Sequence, residues 1–146
     1  MKKVRILAVG KIKEKYLIDA AEEYSKRLSR FCKLEVVEVE ESDIERESGI
    51  IACSLKDRSF DFLMDINGET VSSEDMAKML DKHYIYNDTV TFVIGGSYGV
   101  SEKLKNSAKK SLSFGKITYP HQLFRVILLE QIYRAFSINS GMPYHK

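Results

Sequence analysis

The chain has no tryptophan, two prolines, two cysteines and three histidines in 146 residues. Cys32 and Cys53 show no CxxC or Cys/His spacing, which argues against a zinc site or a disulfide scaffold and fits reduced thiols in the cytoplasm. The longest apolar runs, Val126–Leu129 and Thr91–Gly96, are far too short to span a bilayer, so no membrane partner is expected. The apolar start "VRILAVG" is likewise too short for a secretory leader and reads as a first strand. HExxH, a nucleophile elbow, and carboxylates at metal-ligand spacing are all missing, so no metal is expected. Neither GxGxxG nor GxxxxGK[ST] occurs. A reaction that needs neither a metal nor a covalent nucleophile fits these absences. Group transfer from an activated donor is one, with the protein supplying position and at most one general base.

Charge is plentiful but segregated. Residues 35–47 carry Glu35, Glu38, Glu40, Glu41, Asp43, Glu45 and Glu47 against Arg46 alone. Residues 103–116 carry Lys103, Lys105, Lys109, Lys110 and Lys116 and no acid. Such a basic face suits either a phosphate backbone or ordinary solvation of a helix.

Strand-like and helix-like patterns alternate. Val4–Gly10 reads as a buried strand, and Lys13–Phe31 carries one helical apolar stripe. Leu34–Glu41 reads as a strand and 43–57 as a short helix. "FDFLMDINGE" predicts a strand running into a turn at Asn67-Gly68, then a serine-capped helix over Ser72–Tyr84. Asp88–Gly96 is a β-branched strand. Leu104, Ala108 and Leu112, at i, i+4 and i+8, predict a helix capped by Ser101, and "KITYP" (Lys116–Pro120) a short strand before a last helix over 122–138. Five β–α alternations predict a single α/β domain over 1–146, with a parallel sheet covered by helices. The last helix is apolar almost all round, with Glu130, Arg134 and Ser137 on one narrow polar strip. With no layer evident to cover it, a second copy of the chain is the expected cover, burial within the monomer being the alternative.

In such sheets ligands bind at the carboxyl ends of strands. Three strand ends stand out: "IGGSYG" with Gly95, Gly96 and Gly99; "LMDING" with Met64 and Asp65; and "SFGKITYPHQLFR" with Phe114–Lys116 and Pro120-His121. His121 at a helix start is a cap, a packing residue or a catalyst. Arg125, in so apolar a helix, requires an anion or an acidic partner. Tyr98 either stacks on a base or sits exposed. The chain ends on "PYHK", where a phenol, an imidazole and an ammonium follow Pro143. Chain ends are usually frayed unless something ties them down, so this one is either an exposed terminus or a tail folded over a site.

The ordered set "VIGGSYG", "SLSFGKITYPHQLFRVILLEQIYRAF" and "PYHK", with the start "ILAVGKIKEKYLIDAAEEYSKRL", resembles the RlmH-type ribosomal RNA methyltransferases of the SPOUT class over nearly the whole chain. The resemblance implies a Rossmann-like SPOUT fold with a C-terminal trefoil knot, an exception to the rule that chains do not knot. It implies a homodimer that takes S-adenosylmethionine and methylates N3 of a pseudouridine in large-subunit ribosomal RNA. It places the cofactor against Met64, Gly95, Phe114, Gly115, Lys116, Ile117, Thr118 and Tyr119. With it the tail acquires roles: His145 as candidate base in competition with His121, Tyr144 as orienting donor or stacking partner, Lys146 as phosphate contact, and Arg125 on RNA phosphate or the cofactor carboxylate. Two departures from the family pattern are a shortened segment after the second strand and Met64 with Glu69 in place of leucine and lysine. Against this stand a non-catalytic RNA-binding module and a small-molecule enzyme on a doubly wound sheet. Having no appended RNA-binding domain, a chain this small is expected to act on assembled ribosomes and weakly on free RNA.

Overall fold

A computed structural model describes all residues, 1–146. The elements follow in the order β1 (Lys3–Val9), α1 (Lys15–Leu28), β2 (Lys33–Val39), α2 (Ile44–Ser54), β3 (Ser59–Thr70), α3 (Ser73–Tyr84), β4 (Thr89–Ile94), α4 (Glu102–Ser107), β5 (Lys110–Ser113) and α5 (His121–Asn139). The five strands form one parallel sheet in the order β2-β1-β4-β3-β5.

Side-chain alternation along the strands sorts the core into two layers. Val4, Ile6, Phe62 and Phe92 face α1, α3 and α5, where Leu28, Met76, Leu80, Leu128 and Ile132 pack on them. Leu7, Val9, Leu63 and Val93 face the other way, against Ile51 of α2 and Leu104 of α4. Local chemistry starts the helices: Asp43 accepts from the Arg46 amide, Ser72 and Asp75 form a reciprocal capping box, and Ser101 accepts from the Leu104 amide.

Two stretches differ from the sequence expectation. The Asn67-Gly68 turn does not end β3. Leu112 of β5 pairs with both Met64 and Glu69, so residues 65–68 bulge outward and the strand resumes. Gly68 serves close approach, since a Cβ there would lie 2.7 Å from the Ser111 carbonyl carbon. The second difference is the helix expected through Leu112. It stops at Ser107, and Lys110–Ser113 becomes β5, while "KITYP" is a connecting segment. Leu112 satisfies a helical spacing, yet its side chain is fully buried as the inward residue of an edge strand. Tertiary burial overrode a local period.

α5 corrects a third expectation. It lies against α1, α3 and the sheet, so most of its apolar surface is covered within one chain. Burying Leu128, Leu129, Ile132 and Phe136 contributes on the order of 8 kcal/mol before ordering costs, comparable to a whole domain's net stability. Leu123 and Ile127 remain half-buried on its outer side.

The entry to α5 positions the site. β5 is an edge strand, yet His121 Nε2 lies 2.8 Å from the Val9 carbonyl at the end of β1. Segment 114–120 therefore crosses the carboxyl ends of β3 and β4.

Candidate active site

That crossing encloses a cleft of about 470 Å³. Its floor is the ends of three neighbouring strands: Leu63 and Met64 of β3, Ile94 of β4 with Gly95 after it, and Leu112 and Ser113 of β5. Gly96–Gly99 forms one wall, a tight turn in which the Gly99 amide donates to the Gly96 carbonyl at 3.0 Å. Gly99 has φ +85°, which a side-chain-bearing residue adopts only under strain. The crossing segment forms the opposite wall. Ser113 Oγ accepts from the Gly115 amide at 3.1 Å and donates to the Gly115 carbonyl at 3.0 Å, which fixes the bend out of β5. Phe124 then anchors the segment, its ring 5.5 Å from that of Phe114 and 5.8 Å from that of Tyr119.

Of the residues expected to hold a cofactor, Met64, Gly95, Phe114, Gly115, Ile117, Thr118 and Tyr119 line this cleft. Lys116 is exposed and is not part of the lining. The cleft is lined by glycines, apolar side chains and strand-end backbone, which suits a ligand with a flat heterocycle and hydrogen-bonding edges. Its acids are balanced: Lys105 lies 3.6 Å from Asp65 and 3.9 Å from Glu102. No cluster of His, Cys, Asp or Glu could hold a metal ion, and no helix is long and apolar enough to cross a membrane.

His121 also lines the cleft. The Val9 carbonyl can only accept, so Nε2 carries a hydrogen and donates it. His145 is elsewhere. Its Nδ1 accepts from Arg134 Nη1 at 3.0 Å, and its Nε2 donates to Glu74 Oε1 at 2.5 Å. Both ring nitrogens are thus engaged. Tyr144 Oη donates to Glu130 Oε2 at 2.8 Å, and its ring meets Tyr133 edge-on and lies under the Arg134 guanidinium. Burial, and then that bond to Glu130, push the Tyr144 phenol up, so it is a donor and not a base. Glu74 is held below the usual carboxylate range, first by a backbone amide and then by His145. The tail is thus tied down, but on α3 and the far end of α5 and outside its own cleft.

Arg125 is corrected outright. It is 4 % exposed and donates to Glu38 and to the Gly10 carbonyl, so it meets neither the cleft nor solvent. The partner that its apolar helix required is an acid of β2. The basic stretch after Ser101 is also partly engaged: besides Lys105, Lys110 pairs with Glu69 at 2.8 Å and Lys109 donates to the Ser59 carbonyl. Glu69 is thereby the partner of Lys110. Lys146 is the exposed last residue.

Sequence reasoning missed Ile66, Val100 and Phe124 in the lining and Glu74 in the tail network. Glu130 and Arg134 did leave a signal, as the polar strip on an otherwise apolar helix. Glu74 left none, being one of many exposed acids.

Comparison with known proteins agrees with this geometry. A family model described as "Predicted SPOUT methyltransferase" matches residues 1–145. The chain is 47 % identical to a ribosomal RNA large subunit methyltransferase H of Clostridium botulinum (strain Kyoto / Type A2), covering 98 % of this chain and 99 % of that protein. It is 45 % identical to the protein of the same name from Streptococcus pneumoniae (strain CGSP14), covering 99 % of each. Among solved structures, the A. aeolicus TrmH/SpoU tRNA modifying enzyme superposes with TM-score 0.53 at 13 % identity, over all of this chain and 82 % of that one. The SpoU methyltransferase AviRb from Streptomyces viridochromogenes, solved with AdoMet, gives TM-score 0.53 at 10 % identity, over 94 % of this chain and 58 % of the other. These last two speak to the fold alone. With a parallel sheet whose last strand and helix enclose a glycine-walled cleft, and with the family matched from end to end, the chain belongs to the SPOUT methyltransferases.

Proposed function

We propose that this chain transfers a methyl group from S-adenosylmethionine to N3 of a pseudouridine in large-subunit ribosomal RNA. It acts in the cytoplasm, on assembled ribosomes, as a homodimer. The observation that carries the reading is the convergence of Met64, Gly95 and Phe114–Tyr119, apart from Lys116, on one cleft in a chain so alike, over its full length, to proteins named for this class of substrate. The crossing of segment 114–120 over two strand ends supports a knotted path for the C-terminal part. The incompletely covered Leu123 and Ile127 on α5 support pairing with a second copy.

When bound, the cofactor supplies an electrophilic methyl on a sulfonium. The chain's own contribution is geometry and a proton acceptor. The strand-end backbone and the Phe114–Phe124 contact hold the reacting partners in line and exclude water. N3 of the base loses its proton as it takes the methyl, and an imidazole accepts that proton. Within one chain only His121 lines the cleft; His145 and Tyr144 reach a cleft in the dimer, where the tail of one subunit completes the site of the other. Within one chain Arg134 and Glu74 occupy both nitrogens of His145, so its ring must leave Arg134 before Nδ1 accepts the proton; Tyr144 donates a hydrogen bond, and Lys146 meets phosphate.

The test is transfer of labelled methyl to ribosomes lacking the modification, by the full chain and by one ending at Met142. Transfer by the full chain only, with cofactor binding equal in both, is the expected result. Equal transfer by both returns the proton to His121. Binding of ribosomes without transfer by either favours a non-catalytic RNA-binding module.

A further inference from the structure

Large exposed apolar side chains are scattered over most of the surface, but three gather on the rim of the cleft: Tyr98 at 88 % exposure, Ile117 at 72 % and Ile66 at 43 %. Tyr98 is the most exposed of them and the only aromatic. It has no hydrogen bond and no aromatic neighbour. The turn that carries it is held firmly. Gly96 and Gly99 bridge each other, and α2 backs the turn from behind. A Cβ at Gly96 would lie 2.8 Å from the buried Glu47 carboxylate, and Ser48 Oγ accepts from the Ser101 amide at 2.8 Å. A flat ring displayed on a fixed mount loses little freedom on binding, which is how aromatic anchors work.

We propose that Tyr98 is the platform on which the RNA base entering the cleft stacks, making it a positioning residue for the nucleic-acid substrate. This rests on the RNA-methylating function proposed above. Two observations favour a base over other occupants. The expected cofactor contacts lie on the floor, at Met64 and Gly95, and on the crossing segment, whereas Tyr98 stands on the facing Gly96–Gly99 wall. The rim charge suits RNA: both cleft acids are paired to Lys105, while Lys103 and Lys116, on segments that also line the cleft, are exposed and make no ion pair. Every base offers a π face, and base–aromatic stacking tolerates sequence, so one exposed ring serves as a general guide into the cleft.

The experiment compares Tyr98→Ala, Tyr98→Phe and Tyr98→Trp with the unaltered enzyme on ribosomes lacking the modification. Tyr98→Ala is expected to lower kcat/KM for ribosomes about 5- to 100-fold, chiefly through KM, the size of a lost base–aromatic stack. Tyr98→Phe and Tyr98→Trp keep the flat ring and are expected to stay within about threefold of the unaltered enzyme. Calorimetric affinity for S-adenosylmethionine and the sedimentation coefficient should be unchanged in all three. Because the chain has no other tryptophan, the Tyr98→Trp emission reports this position alone, and S-adenosylhomocysteine should leave it unchanged. Unaltered kinetics in Tyr98→Ala overturns the proposal. So does a parallel loss of cofactor affinity or a cofactor-induced quench, which would put the ring on the cofactor. A shift in sedimentation would make it a subunit contact. No transfer even by the unaltered enzyme would sink the methyltransferase reading itself, and this proposal with it.

Discussion

The two ends of α5 are built on opposite plans. At its start, glycine turns, strand-end backbone and apolar side chains form the cleft, and its acids are balanced by one lysine. At its far end, the tail is held by a side-chain network running from Tyr144 to Glu130, Arg134, His145 and Glu74. Contacts made by backbone tolerate changes of side chain. A site made of charges and ring nitrogens does not, because each member fixes the next.

Substitutions that separate the two ends would break or sharpen this contrast. The largest expected effect is at the tail. His145→Ala should lower kcat about 100-fold or more, the range for loss of a general base, with cofactor affinity untouched. If His121→Ala shows the larger drop, the proton goes to the cleft's own imidazole and the contrast collapses. Glu130→Ala removes the acceptor shared by Tyr144 and Arg134. It should cost about tenfold in kcat by loosening the tail's geometry, with faster amide exchange over 142–146 and little change at the cleft. Gly99→Ala works the other end: placing a Cβ at positive φ costs about 1 kcal/mol, so cofactor affinity should fall several-fold by calorimetry, with no effect on tail exchange.

The smallest effect is acid release of the tail. Glu74 is held below its ordinary 4.5, so its contact with His145 is fully present above that value and is lost as pH falls through the lowered one. Amide exchange at the tail should rise below about pH 4.5 while the cleft stays protected, and Glu74→Gln should remove that Glu74-dependent step.

Much of this was legible along the chain. The alternation of strand and helix patterns, the buried β1 and β4, the helix caps at Ser72 and Ser101 and the strand-end residues of the cleft all follow from local periods and from where parallel sheets present their ends. The errors fell where local signals agreed with two structures. Leu112 suits a helical stripe or an edge strand, and Asn67-Gly68 suits a turn or a bulge. Arg125 announced a need for a partner but not which one. The surroundings of α5 were misjudged because periodicity reports how much of a helix is apolar and not what covers it.

By itself, then, the order of residues determined the α/β class, the approximate extent of most elements and the side chains available for chemistry. These depend on spacing within a single strand or helix. Only the tertiary structure decided that His121 meets Val9, that Arg125 meets Glu38 and that His145 meets Glu74 instead of its own cleft. Those contacts join residues far apart in the chain, and they exist only because segment 114–120 returns across the sheet and lays α5 between α1 and α3.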